Sequence, residues 1–76
     1  MAIVAGIHPV SEALRAKRSL DRVLVARGAG GAKVQEIVDA CRKAGVPVRF
    51  EPRDALDRLA AGSAHQGVVA VGAAHG

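Results

Sequence analysis

The side chains of this sequence best suited to chemistry stand together just before an apolar run near its carboxyl end. His65 and Gln66 carry ring nitrogens and an amide, and Gly67 adds a flexible backbone position ahead of the run from Val68 to Val71. Hydrogen-bonding groups at the start of a buried strand either fix the conformation of a loop or contact a ligand. The sequence alone leaves both alternatives open.

A second polar motif follows the short apolar run of residues 2–6. It places His8 at or beside the start of a predicted helix. There the imidazole could cap the helix or bond a neighbouring loop, or it could face a phosphate or ribose hydroxyl beside the positive helix end. An acid–base pair of His8 with His65 can be imagined, but no serine or cysteine nucleophile accompanies them in a motif. The sequence therefore does not predict an autonomous enzyme.

A glycine-rich loop, residues 27–33, joins a predicted strand to a predicted helix. Its glycines allow close approach of an anion to the backbone, and Arg27 and Lys33 are available for phosphate oxygens. The spacing matches neither the dinucleotide fingerprint nor the phosphate-binding loop, so no nucleotide cofactor is predicted. Cys41 lies on an apolar stripe and is predicted to be a buried structural thiol. The histidines and this cysteine lack the close spacing of metal ligands, so no metal site is predicted.

Composition narrows the class of protein. The 76 residues suffice for one domain, and 11 Lys+Arg against 7 Asp+Glu give a net charge of +4, which suits a phosphate-rich partner. Solubility alone would also explain such a charge. The chain has a single cysteine, no apolar run approaching the ~18 residues of a membrane span, and no signal-peptide pattern at its start. We therefore expect a cytoplasmic protein without a membrane partner.

Four short apolar runs with Gly or Pro flanks predict strands, and three segments between them predict helices. The clearest helix, residues 32–44, has one apolar stripe and a stop at Gly45. The order β-α-β-α-β-α-β predicts an α/β fold with three layers, α/β/α, around a four-stranded, mainly parallel (mixed) sheet. Pro47 predicts that the third strand begins after it or lies at an edge, and Phe50 is predicted to be in the core.

Strand order determines whether the two polar motifs meet. Right-handed crossovers predict that the first three strands are adjacent, and we place the fourth beside the first, with an antiparallel orientation allowed. If the pair is antiparallel, the end of the first strand, with Gly6 and His8, lies beside the start of the fourth, with His65 and Gln66. The two motifs would then share one edge of the sheet.

Two segments with this separation resemble a known family. Residues 6–14, Gly-Ile-His-Pro-Val-Ser-Glu-Ala-Leu, and residues 65–70, His-Gln-Gly-Val-Val-Ala, resemble the N-terminal substrate-binding domain of SpoU/TrmH-type RNA 2′-O-ribose methyltransferases. The resemblance implies the fold of ribosomal proteins that bind kinked RNA, and an RNA partner, often large-subunit ribosomal RNA. It also implies a homodimeric parent enzyme whose separate knotted domain binds S-adenosylmethionine and methylates a ribose.

The family's catalytic motifs are absent from this sequence. The resemblance thus implies an RNA substrate-binding domain over residues 1–72 that has no cofactor of its own and does not catalyse methyl transfer alone. Residues 73–76 would begin a linker to an absent catalytic domain. Two alternatives stay open: a stand-alone structured-RNA-binding protein of ribosomal type, and a protein-interaction α/β module whose basic charge is incidental.

The candidate site residues come from two sources, the motifs that match the family and the positions of charged residues. Gly6 and Gly67 would be backbone requirements, and Glu12 would favour the helix dipole. The predicted RNA-contacting residues are His8, Arg15, Lys17, Arg18, Arg27, Lys33, His65 and Gln66, of which the Arg and Lys residues come from charge and loop position and not from a family motif. With no exposed aromatic expected, about four phosphate contacts predict a log–log salt slope of about −3 to −4.

Overall fold

The computed structural model describes residues 2–62 and 64–72, in which four strands alternate with three helices. The elements are β1 (Ala2–Ala5), α1 (Ile7–Arg15), β2 (Leu20–Ala26), α2 (Ala32–Ala44), β3 (Val48–Glu51), α3 (Arg53–Ala60) and β4 (Val68–Gly72). This order confirms the predicted alternation. The linker predicted at residues 73–76 lies outside the described residues. Within the described part, no helix has the length and apolarity needed to cross a membrane.

The strands form one mixed sheet in the order β1-β4-β2-β3. β4 runs antiparallel to both β1 and β2, whereas β3 is parallel to β2. The mixed sheet and the antiparallel pairing of the fourth strand with the first are confirmed, and β2 and β3 are adjacent as expected. The expected adjacency of β1 and β2 is wrong, and so is the expectation of mainly parallel pairing, because β4 lies between these strands and makes two of the three pairings antiparallel. Every residue of β4 is buried, so this strand suits a central position between β1 and β2. β1, which has an exposed first residue, occupies an edge.

Helices cover both faces of the sheet, which confirms the three-layer α/β/α architecture. α1 and α2 pack on one face, where Val23 and Val25 of β2 meet Val10 of α1 and Ile37 of α2. α3 packs on the other face, where Leu56 contacts the alternate residues of β2 and β4. Both clusters are almost wholly aliphatic. As predicted, α2 ends at Gly45, whose φ of 75° lies in the left-handed region that glycine adopts without strain.

Phe50 does not join this core, so the expectation that it is buried is wrong. It is 56% exposed. Its strand, β3, forms an edge of the sheet directly after Pro47, as the missing proline N–H predicted. Val48 still packs against the core formed with α1 and α2, but Phe50 lies further along the edge strand, outside that cluster. The end of this edge strand lies outside the cluster that α1 and α2 cover, so the alternation of β3 alone did not bury the ring.

Because β1, β2 and β3 all point the same way and β4 points back, three strands end where β4 begins. We call this side of the sheet, formed by the ends of β1, β2 and β3 and the start of β4, the carboxyl edge. The helices α1 and α2 also begin there. Both polar motifs therefore belong to this edge.

Candidate functional site

The two polar motifs meet at the carboxyl edge through two hydrogen bonds. The backbone N–H of Gly6 donates to the carbonyl of Val68 at 2.9 Å. The N–H of Ile7, the first residue of α1, donates to Oε1 of Gln66 at 3.1 Å. The predicted convergence is thus confirmed. Gly6 at the N-cap has no side chain to offer, so Gln66, distant in sequence, supplies the acceptor that the first helical N–H needs.

His65 lies beneath this junction and is only 4% exposed. The backbone N–H of Gly67 donates to its Nδ1 at 2.9 Å, so Nδ1 is the acceptor nitrogen and Nε2 carries the proton. Nε2 donates in turn to the Asp57 carboxylate on α3. Both ring nitrogens are therefore engaged within the protein. This arrangement supports the loop-fixing alternative for His65 and leaves the neighbouring Gln66 exposed.

Two glycines shape the backbone on either side of the junction. Gly6 has φ +106°, and a Cβ there would lie 3.3 Å from Cδ of Pro9. Gly67 has φ +82°, and a Cβ there would lie 3.0 Å from Cβ of Ala29. Gln66 also has a positive φ of 51°, which is uncommon for a residue with a side chain. Such strain persists only where surrounding contacts hold it, and here it directs the Gln66 side chain toward α1.

A groove of about 410 Å³ runs between α1 and α2 from the carboxyl edge. On α1, the spacing of His8, Ser11 and Arg15 places them on one helical face. Lys33 and Glu36 of α2 line the other side. The full lining, which we call the α1–α2 groove, consists of Ile7, His8, Ser11, Arg15, Lys33, Glu36, Ile37 and Gln66.

The α1–α2 groove gathers four of the eight predicted RNA-contacting residues: His8, Arg15, Lys33 and Gln66. Its two permanent cations outnumber the single carboxylate of Glu36. Nε2 of His8 lies 3.2 Å from Oε1 of Glu12, one helical turn away. Both side chains are largely exposed, so this pair contributes little to stability and does not prevent His8 from meeting a ligand.

The other predicted residues occupy three different places. Arg27 lies at the carboxyl edge, where its N–H donates to the carbonyl of Glu51 at 2.9 Å. Lys17 and Arg18 follow α1 at the opposite end of the sheet, where they share a separate groove with Lys43. His65 is buried under the junction. Lys17 and Arg18 are close to Arg15 in sequence, but they do not line the α1–α2 groove with it.

Three residues of the site were not predicted from the sequence: Ser11, Glu36 and Asp57. The i, i+3, i+7 spacing from His8 to Arg15 would have revealed Ser11, and the spacing from Lys33 would have revealed Glu36. Asp57 carried no local signal, because its contact with His65 depends on how α3 packs against the sheet. Cys41 is buried as predicted, and burial raises the pKa of its thiol. This keeps the thiol protonated and unreactive.

The fold and the groove together define the class of protein: a small three-layer α/β domain with a groove at its sheet edge in which cationic side chains outnumber carboxylates. Comparison with known proteins then identifies the family. The family described as RNA 2′-O ribose methyltransferase substrate binding matches residues 3–75. The chain belongs to this family, which makes it an RNA substrate-recognition domain and RNA its class of partner.

Two curated relatives agree with this assignment. The "Putative TrmH family tRNA/rRNA methyltransferase YacO" of Bacillus subtilis (strain 168) is 33% identical over 72 residues, covering 95% of this chain and 28% of that protein. The "23S rRNA (guanosine-2'-O-)-methyltransferase RlmB" of Pasteurella multocida (strain Pm70) is 32% identical over 68 residues, covering 88% of this chain and 28% of that protein. The chain thus spans about 28% of the length of each relative.

A solved structure shares the fold. It is described as a protein with unknown function from Bacillus halodurans C, with a TM-score of 0.75 and 25% sequence identity. The match covers 95% of this chain and 72% of that one. The strand order that local patterns failed to predict therefore belongs to a fold already found in another protein.

Proposed function

We propose that the α1–α2 groove holds ribosomal RNA of the large subunit and presents one ribose to a catalytic domain that methylates its 2′-oxygen. The relative from Pasteurella multocida is named for 2′-O-methylation of guanosine in 23S rRNA, which supports this substrate class. The parent enzyme would be a cytoplasmic homodimer with S-adenosylmethionine as methyl donor.

The methyl donor would be bound outside this chain. The glycine-rich loop before α2 is the best local candidate for a cofactor cradle. A Cβ added at Gly28, Gly30 or Gly31 would meet no atom within 4 Å, so these glycines face open space and do not line a shaped cavity. This loop therefore offers the cofactor no shaped cradle.

The observation that carries the proposal is the convergence of Arg15, Lys33 and Gln66 on one groove. Guanidinium and ammonium groups bind phosphate oxygens, and such contacts set the affinity and position of a nucleic acid. Oε1 of Gln66 is occupied by the Ile7 N–H, so its amide group has a fixed orientation with both N–H donors on the other side. Those donors suit a phosphate oxygen or a ribose hydroxyl.

Salt dependence of RNA binding tests the proposal. Fluorescence anisotropy of a fluorescein-labelled RNA hairpin, titrated with the 76-residue chain at several KCl concentrations, should give a log–log slope of about −2 to −3. This range reflects Arg15, Lys33 and Arg27, which is one cation fewer than the sequence suggested. Arg15→Ala and Lys33→Ala should each reduce the slope by about 1.

Lys43→Ala is the matched control, because Lys43 is an exposed cation of α2 at the opposite end of the molecule. It should leave the slope unchanged. A chain that binds no RNA at low salt would refute the proposal and favour the protein-interaction alternative. A slope that responds to Lys43→Ala but not to Lys33→Ala would place RNA in the groove of Lys17 and Arg18 instead.

A further inference from the structure

Phe50 is the single aromatic residue of the chain, and neither the family assignment nor the groove gives it a role. It is 56% exposed on β3, an edge strand whose outer side pairs with no other strand of the described sheet. A phenylalanine in this position leaves more than half of its surface in water. Its ring is therefore open to a ligand.

One cation lies beside the end of the strand that carries Phe50. In the parallel β2–β3 register Phe50 is opposite Val25, so both lie on the face of the sheet that α1 and α2 cover. Arg27 directly follows β2 and is exposed, and its backbone N–H donates to the carbonyl of Glu51, the residue after Phe50. An exposed ring with an arginine at the end of the neighbouring strand favours a ligand that combines negative charge with a flat apolar surface.

The position of Phe50 relative to the α1–α2 groove fits a single extended ligand. Strands in a sheet lie about 4.8 Å apart, so β3 is about 10 Å from β4 and about 14 Å from β1. β4 is the strand that follows Gln66. Phe50 is the third residue of β3 and lies close to the carboxyl edge. A few nucleotides of single-stranded RNA cover this distance, with Arg27 between the two ends.

We propose that Phe50 is a stacking platform for an unpaired base of the RNA whose backbone occupies the α1–α2 groove. This inference rests on the proposed function and adds the class of RNA recognised: a loop or bulge with an exposed base, not a continuous duplex. Proteins recognise RNA sequence mainly at unstacked bases, and an aromatic ring accepts the π-face of any of them. Arg27 would meet a flanking phosphate.

The test uses Phe50→Trp, which introduces the only tryptophan of the chain. Its fluorescence should be quenched by an oligoadenylate and not by an abasic ribose-phosphate oligomer of the same length and charge. Phe50→Ala and Phe50→Leu should weaken oligoadenylate binding about 5- to 100-fold, as expected for loss of one base–aromatic stack. Neither should change the affinity for the abasic oligomer or the salt slope, since the ring carries no charge.

The outcomes separate this inference from the proposed function. Salt-dependent binding that responds to Lys33→Ala, together with unchanged tryptophan emission, would overturn the stacking role and leave the groove in place. Equal losses for the abasic and base-bearing oligomers in Phe50→Ala would also overturn it, as would unchanged oligoadenylate affinity in both Phe50→Ala and Phe50→Leu. Absence of any RNA binding would refute both. Urea unfolding checks that both variants are folded, and Phe50→Leu should stay closer to the parent chain than Phe50→Ala because leucine keeps more of the buried apolar surface.

Discussion

Replacement of His65 by alanine should destabilise the fold without removing a direct RNA contact. The imidazole is 4% exposed, accepts the Gly67 N–H and donates to Asp57. These two bonds join the entrance of β4 to α3 and set the backbone that places Gln66 against α1. Any loss of RNA affinity in His65→Ala should therefore follow from loss of the folded junction.

The structure gives the size of the effect. Loss of Nδ1 leaves the buried Gly67 N–H without an acceptor, which costs about 1–3 kcal/mol. The bond to Asp57 adds about 0.5–1 kcal/mol at most, because that carboxylate side chain is 56% exposed. With the void left by the ring, the free energy of unfolding should fall by about 2–4 kcal/mol. For a domain of this size, that corresponds to a melting temperature lower by about 10–25 °C.

Far-UV circular dichroism in a urea titration measures this change, since the chain has no tryptophan or tyrosine. His8→Ala is the matched control. The side chain of His8 is 85% exposed, so its removal should change the free energy of unfolding by less than about 0.5 kcal/mol. The reasoning is refuted if His65→Ala unfolds at the same urea concentration as the parent chain. Weaker RNA binding by such an intact variant would instead assign His65 a direct contact.

Three further predictions concern the junction and the core. Gly67→Ala should lower the free energy of unfolding more than Gly28→Ala in urea titrations. Both glycines have positive φ, but only a Cβ at Gly67 would meet a neighbour, Cβ of Ala29 at 3.0 Å. Equal losses would show that this contact relaxes freely. Gln66→Ala should cost about 0.5–2 kcal/mol through the lost helix cap, measured the same way, and an unchanged value would mean that water replaces the amide. Cys41 should react with iodoacetamide far more slowly in the native chain than in urea, and equal rates would contradict its burial. The free energy of unfolding should also fall as pH rises past the ordinary thiol range, because the folded state holds the Cys41 thiol proton more tightly than the unfolded state does.

Local patterns predicted the elements because each depends on residues close in sequence. The stripe of Val34, Ile37 and Cys41 requires a helix with one buried face, and Gly45 gives that helix a stop. Short apolar runs between Gly and Pro residues indicate strands for similar reasons. The sequence also brought the two polar motifs together, since the antiparallel pairing of β1 and β4 places Gln66 beside Ile7.

Strand order and the environment of Phe50 could not be predicted in the same way. A central strand forms backbone hydrogen bonds on both of its sides and buries both of its faces. β4, in which every residue is buried, suits this position between β1 and β2. Phe50 follows the alternation of a half-buried strand, yet burial also requires a covering layer. That layer ends before it reaches Phe50 at the edge of the sheet.

The sequence by itself thus determined the class of fold, the order of its elements, the meeting of the two motifs and a resemblance to the correct family, because these depend on periodicity and short motifs. Tertiary structure alone decided that His65 is buried while Gln66 is exposed, that Arg15 and Lys33 share a groove from which Lys17 is remote, and that Phe50 faces solvent. These properties depend on distances between helices and strands that only packing fixes.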